Sequence, residues 1–259
     1  MDYLAPLRSD LKLQIMLSLL TGEKKLSELK STVQARETTI LHVLKEFEIL
    51  SLTQKFGGAY KLTSLGVLEA QVCREYYSTA EVIKNYKEFW LTHDISGIPE
   101  PLITKIGALK DSVLIKSGGV DLQKVHENFV NILLSSKTIK GVSPIFHPDY
   151  ISTFEEVLNR GCIIDLIITS DVLSKTLAVA EVEPLQKFIE DRKIRIFVND
   201  DLKFALTVTD NSLSFGLFTL AGDYDYSSDL ICSSREGVEW GNQLFERTLE
   251  KSASLLEKQ

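Results

Sequence analysis

LSELKSTVQARETTILHVLKEFEILSLTQKFGGAYKLT, residues 26–63, has the spacing of a helix-turn-helix followed by a two-stranded wing. From Glu37 to Leu50 apolar residues fall at Ile40, Leu44 and Phe47, the i, i+4, i+7 pattern of a helix that buries one face. Thr38, Thr39, His42 and Lys45 stand on the opposite face. Short or hydrogen-bonding side chains at successive turns are what a helix needs to lie in a major groove. Beyond this recognition-helix candidate, Ser51 to Thr53 read as a strand, Gly57-Gly58 as a tight turn with positive φ, and Ala59 to Thr63 as the returning strand. Phosphates call for cations, so Arg36, Thr38, Thr39, His42, Lys45, Lys55 and Lys61 form the expected contact set for double-stranded DNA.

Upstream, Ser9 and Asp10 read as the N-cap and first-turn acid of a helix to about Leu20, with Leu13, Met16, Leu17 and Leu20 as its buried stripe and Gly22 ending it. A short second helix, about Lys25 to Lys30, buries Leu26 and Leu29 and completes a three-helix unit. Ala35-Arg36 stands where winged helices commonly carry Ser or Thr, which predicts a ragged or shifted start for the third helix.

The net charge of −7 fits a nucleic-acid binder only after the chain is divided. Residues 1–75 carry ten Lys or Arg against nine Asp or Glu, net +1; residues 76–259 carry nineteen against twenty-seven, net −8. The acidity therefore belongs to the C-terminal part, and the thin positive supply near the motif points to a homodimer on two half-sites. No apolar run approaches the ~18 residues of a membrane helix, and the N-terminus lacks the apolar stretch of a signal peptide. A cytoplasmic protein without membrane association is expected. Cys73, Cys162 and Cys232 are odd in number and widely spaced, which suggests buried thiols, with no disulfide framework or metal site. No cofactor motif is present: Gly118-Gly119 reads as a loop, with no phosphate-cradling run after a strand.

Downstream, Leu65, Leu68, Val72, Tyr76, Thr79, Ile83, Tyr86 and Trp90 follow at three- or four-residue steps, one long amphipathic helix or two in series. The stripe is either a dimer seam or a face packed on its own chain. Gly97, Pro99 and Pro101 break it within FWLTHDISGIPEPL, residues 89–102, where the domain boundary is expected. The expected organisation is a winged helix over 1–75, a linker helix over 76–98 and an α/β domain over 99–259.

The last of these alternates. Strands are expected at Val113–Lys116, Ile139–Ser143, Cys162–Thr169 and Ile194–Val198, and helices at Asp121–Ser136, Tyr150–Arg160 and Asp171–Asp191, the last broken near Pro184. A hairpin turning at Asp210-Asn211 joins Phe204–Val208 to Ser212–Phe218, and a helix from about Glu236 to Leu256 closes the chain. The fold class is α/β, with a mixed, mainly parallel sheet.

The winged helix, FWLTHDISGIP at residues 89–99, YDYSSDLICSSREGVEWGNQLFE at residues 224–246 and the order of elements between them resemble, over essentially the whole chain, the archaeal methanogenesis regulatory proteins, a family of predicted transcriptional regulators. The resemblance implies a dimeric DNA-binding regulator whose C-terminal sensor domain is similar to half of a phospholipase-D-like fold. Phospholipase-D chemistry uses a His nucleophile with a Lys two residues on. Here His42, His93, His126 and His147 are followed two on by Leu44, Ile95, Asn128 and Asp149, so no enzyme of that type is expected. The competing reading is a phosphodiesterase-like or other hydrolase with a winged-helix docking module.

His93 and Asp94 are expected to tie the joint, His147 to line a pocket or sit in a plain loop, and Trp240 to be core. Asp223, Asp225 and Asp229 lack the Gly and Glu of a calcium loop and read as a solvated loop that helps form the sensor pocket. In open α/β sheets ligands bind beyond the carboxyl ends of parallel strands. That places a small polar effector at Ser143, Thr169, Ser170, Asp171 and Asn199, with Tyr224 and Tyr226 closing over it. The plain alternative is that Ser170 and Asp171 cap a helix and Asn199 turns the chain.

Overall fold

The computed structural model describes residues 9–117, 124–179 and 182–255. Contacts divide the chain into two compact units, Met1–Ala80 and Glu81–Gln259.

In the first unit, α1 (Asp10–Leu20), α2 (Leu26–Val33) and α3 (Glu37–Ile49) close around Ile15, Met16, Leu29, Ile40, Leu44 and Phe47. In α1, Ile15 and Leu19 are buried where Leu17 and Leu20 were expected. Apolar residues occur on nearly every side of this helix, so periodicity does not select its inward face. α2 runs on to Val33, which is buried, and ends on left-handed Gln34. α3 begins at Glu37, with Arg36 as an extended N-cap that makes no side-chain hydrogen bond.

Strands β1 (Lys24–Lys25), β2 (Thr53–Phe56) and β3 (Ala59–Leu62) form a sheet in the order β1-β3-β2. The wing's first strand starts later than Ser51, because Ser51 itself turns the chain at φ 60. Gly57 and Gly58, at φ 58 and 85, make the hairpin turn that most side chains would strain. α4 (Ser64–Asn85) follows. Gly66 lets it lie on the wing's root, since a Cβ there would stand 1.9 Å from the Leu52 carbonyl oxygen.

The division falls inside α4, not at residues 89–102. Val82, Tyr86, Phe89, Ile98 and Leu102 all enter the core of the second unit, so much of the expected linker is core. The helix ends at Asn85 and restarts as α5 (Lys87–Thr92), where the Trp90 indole N–H donates to the Val82 carbonyl at 3.1 Å. His93 is buried and joins the Phe89 carbonyl at 2.8 Å and Asp225 Oδ2 at 3.0 Å. Asp94 accepts from Ser96, and α6 (Glu100–Ile103) follows.

The second unit is built on an eight-stranded sheet in the order β11-β7-β6-β5-β8-β9-β10-β4. Its strands are β4 (Val113–Lys116), β5 (Thr138–Ser143), β6 (Ile163–Ile168), β7 (Ile194–Val198), β8 (Phe204–Thr209), β9 (Leu213–Leu217), β10 (Ser228–Cys232) and β11 (Ala253–Ser254). The sheet is mixed, but the expected parallel majority is corrected. β5–β6 and β6–β7 are parallel, and the five other ladders are antiparallel. Parallel neighbours need a helical crossover, supplied by α8 (Pro148–Asn159) and by α9 (Ser170–Val179) with α10 (Val182–Glu190). After β7 the chain enters β8 without a helix and continues as a hairpin, so that side of the sheet is antiparallel. β10 and β11 were not foreseen.

α11 (Arg235–Leu249) covers one face with Trp240, Leu244 and Phe245 on Leu213 and Phe215. α7 (Lys124–Leu134), α8, α9 and α10 cover the other with Leu133, Val157, Val172 and Phe188. β6 serves both, Ile167 toward the first cluster and Ile164 and Ile168 toward the second. The expected start of α7 at Asp121, and Gly118-Gly119, lie outside the described residues. All three cysteines are free and buried, and burial pushes the Cys73 and Cys162 thiols up to about 11. Among the described residues no helix is long and apolar enough to cross a membrane.

Candidate functional site

The first unit presents a polar surface on α3 and the wing. Ile40, Val43, Leu44 and Phe47 turn inward, which leaves Thr38, Thr39, His42 and Lys45 exposed, with Arg36 exposed at the helix start. Glu46 lies beside Lys45 in sequence but is engaged by Lys12. On the wing, the Lys55 ammonium lies 5.5 Å from the Tyr60 ring centre and that of Lys61 4.7 Å from the Phe56 ring. These rings hold the two cations along the strands. Phe56 itself is 66% exposed at the tip. The structure thus places all seven residues expected to touch DNA on one three-helix-and-wing unit.

The second unit encloses a cavity of about 440 Å³ between the sheet and helices α7–α10. One end is apolar, formed by Leu173, Leu185, Phe188, Ile194 and Ile196 from α9, α10 and β7. The other end, by β9 and β10, gathers the polar groups. His126 on α7 packs on His147 and Tyr150 of α8 at ring separations of 4.5 and 5.6 Å, and Tyr224 meets Tyr226 edge-on at 5.0 Å. The Ser214 hydroxyl donates to Asp229 Oδ2, while Asp229 Oδ1 is buried without a partner among the described residues. Burial pushes the Asp229 carboxyl up to about 7 and the Tyr150 phenol up to about 12, and raises the Tyr224 phenol as well. Gly216 makes room for Tyr224, whose hydroxyl oxygen would lie 2.2 Å from a Cβ there.

Of the seven residues expected to hold an effector, Ser143, Tyr224 and Tyr226 line this cavity; Thr169, Ser170, Asp171 and Asn199 are not among its lining. Those four are engaged in local contacts. Thr169 accepts from the Val172 N–H, Ser170 donates to Asp200 through both its N–H and its hydroxyl, and Asp171 pairs with Lys175 at 2.7 Å. Asn199 accepts from the Asp201 N–H. The cavity opens over the face of the sheet, not beyond its strand ends, because α7–α10 arch over it.

Asp229 and Asp225 depart from the expected solvated loop. Asp229 sits within β10, and Asp225 is held by Ser227, Ser228 and His93, whose hydrogen bonds outweigh its burial and lower its pKa. His126 and Tyr150 were missed as site residues, and Asp229 was read only as part of a loop. The legible signal was Asp229, a lone acid in the β-rich run SDLIC. His126, His147 and Asp149 bring one ligand atom each within 4.8 Å of one another, a donor set that suits a divalent transition metal.

Family profiles match the chain twice: the N-terminal domain of methanogenesis regulatory protein FilR1 over residues 5–79, and the middle domain of FilR1 over residues 122–251. The methanogenesis regulatory protein FilR1 of Methanothrix harundinacea (strain 6Ac) is 31% identical over 253 residues, covering 95% of this chain and 56% of that relative. The chain thus spans little more than half the length of the curated relative it matches. Among solved structures, TrmBL2, described as an archaeal chromatin protein with a novel mode of DNA binding, aligns with a TM-score of 0.46 at 16% identity, over 95% of this chain and 93% of that one. Nuc, a phospholipase D family member from Salmonella typhimurium, aligns with a TM-score of 0.40 at 11% identity, over 55% and 96%. At these scores both are loose likenesses.

Proposed function

The chain belongs to the FilR1 family of methanogenesis regulatory proteins, and on that premise we propose that it is a sequence-specific DNA-binding transcriptional regulator, homodimeric, cytoplasmic and without catalytic activity, whose second unit binds a small effector. The observation that carries DNA binding is the exposed row Thr38, His42 and Lys45 on α3, flanked by Arg36 and by wing lysines held over aromatic rings. An α-helix with short polar side chains outward fits the major groove, and cations beside it meet phosphates. The effector reading rests on the cavity, whose volume suits a small molecule.

An electrophoretic shift with the DNA upstream of the protein's own gene, run beside a generic phosphodiesterase assay, separates the regulator from a hydrolase. The expected result is a shifted band, weakened as salt rises, with no hydrolysis. Hydrolysis without a shift would overturn the proposal.

A further inference from the structure

The effector cavity also carries a chemical signature of its occupant. Among the described residues that line it are Asp149, Glu155 and Asp229, and no Lys or Arg. Against these acids a phosphate or carboxylate would find His126 and His147 but no permanently charged cation. The buried oxygen Asp229 Oδ1 makes no well-formed hydrogen bond, although the Leu230 and Phe215 N–H groups lie near the carboxyl, whereas Oδ2 has the Ser214 hydroxyl. A buried carboxylate oxygen left unpaired is costly, so it favours an occupant that brings an N–H. Around it stand the rings of Tyr150, Tyr224 and Tyr226. Their rings offer aromatic faces, which attract cations. Beyond them the lining is mainly apolar as far as Phe188, with Thr176 and Glu155 among it.

We propose that the ligand is a cationic amphiphile: an ammonium group that donates to Asp229 Oδ1 among the tyrosine rings, on an apolar or aromatic body that fills the end lined by Leu185 and Phe188. This rests on the effector reading of the cavity and narrows it to organic amines.

The test uses the full chain at pH 8 in chelated buffer, so that no metal at the histidine pair contributes. 4-Phenylbutylamine, 4-phenylbutanol and 4-phenylbutyrate share one body and differ in their polar end. Calorimetric titration should show the amine binding roughly tenfold or more tighter than the alcohol, and the carboxylate weakest. Asp229→Asn should erase the preference for the amine over the alcohol. The contrast among ligands is read on the unaltered protein, so it stands whether or not the variant folds. Equal binding of the three, a preference for the carboxylate, or an amine preference that survives in folded Asp229→Asn would overturn the ammonium assignment and leave the cavity reading intact. Binding of none of the three would overturn the cavity reading with it.

Discussion

Asp229 is a buried carboxyl whose stability cost depends on pH. Burial takes it from an ordinary 3.8 to about 7, against the opposing pull of the Ser214 hydroxyl and the Leu230 and Phe215 N–H groups. Between those two values the folded chain holds a proton that the unfolded chain has lost, so stability falls as pH rises through this window, and the full cost is present above about pH 7. Asp229→Asn removes the charge and should raise the ligand-free melting temperature at pH 8 while changing little at pH 4. A shift of ~3 units at ~1.4 kcal/mol each sets a ceiling of ~4 kcal/mol. The amide's own unmatched atoms reduce the gain to ~1–2 kcal/mol. Scanning calorimetry at both pH values checks it; a variant equally destabilised at both would mean that the folded protein holds the carboxylate charged. On the DNA side, Lys45→Ala or Lys55→Ala should weaken binding to all sequences alike and flatten its salt dependence, since phosphate contacts carry no sequence information. Thr38→Ala or His42→Ala should instead change sequence preference, by ~1–3 kcal/mol for each good base contact. Parallel shifts on operator and random DNA distinguish the two, and unaltered binding in all four would remove α3 from the interface.

Elements were legible where local chemistry alone sets them. α3 and the wing could be read from Ile40, Leu44, Phe47 and Gly57-Gly58, since a 3.6-residue period and a positive-φ turn need no distant partner. α1 was legible as a helix but not as a face, and the α4 stripe could be read but not its partner. The sheet's sense could not be read strand by strand, because it depends on whether a helix intervenes, and β10 hid in a polar ending whose pairing with β4 spans over a hundred residues. The cavity was legible only in part, through Ser143, Tyr224 and Tyr226, for a related reason. Polar residues at the ends of β6 and β7 satisfied the general rule for α/β sheets, yet Thr169, Ser170 and Asn199 are spent on capping and turning. What helps shape the cavity is a close approach that only packing reveals, Tyr224 against Gly216. Gly216→Ala should displace that ring and cost ~1–3 kcal/mol, as overpacking generally does. Urea unfolding measures it, and an unchanged midpoint would show that the Tyr224 ring relocates freely.

At the scale of the molecule, the unsatisfied feature is α4. Ala70 and Cys73 are buried, while Leu68, Val72 and Tyr76 on another face are 68, 60 and 57% exposed. Steps of four residues keep these three on one side of the helix. A stripe of this length in contact with water is unfavourable at ~25 cal/mol per Å² of apolar surface, and a two-fold axis lets the stripe of one chain cover its copy. Such a pairing would also supply the second recognition helix that a half-site charge of only +1 calls for. Sedimentation equilibrium at micromolar concentration should therefore give twice the 29.1 kDa of the chain. Val72→Glu with Tyr76→Glu should give a monomer with unchanged helix content, because both side chains are exposed in the single chain, and should weaken operator binding far more than binding to a single half-site. A protein that sediments at 29.1 kDa and still binds its full operator tightly would refute the dimer; a double variant that remains dimeric would move the interface off α4.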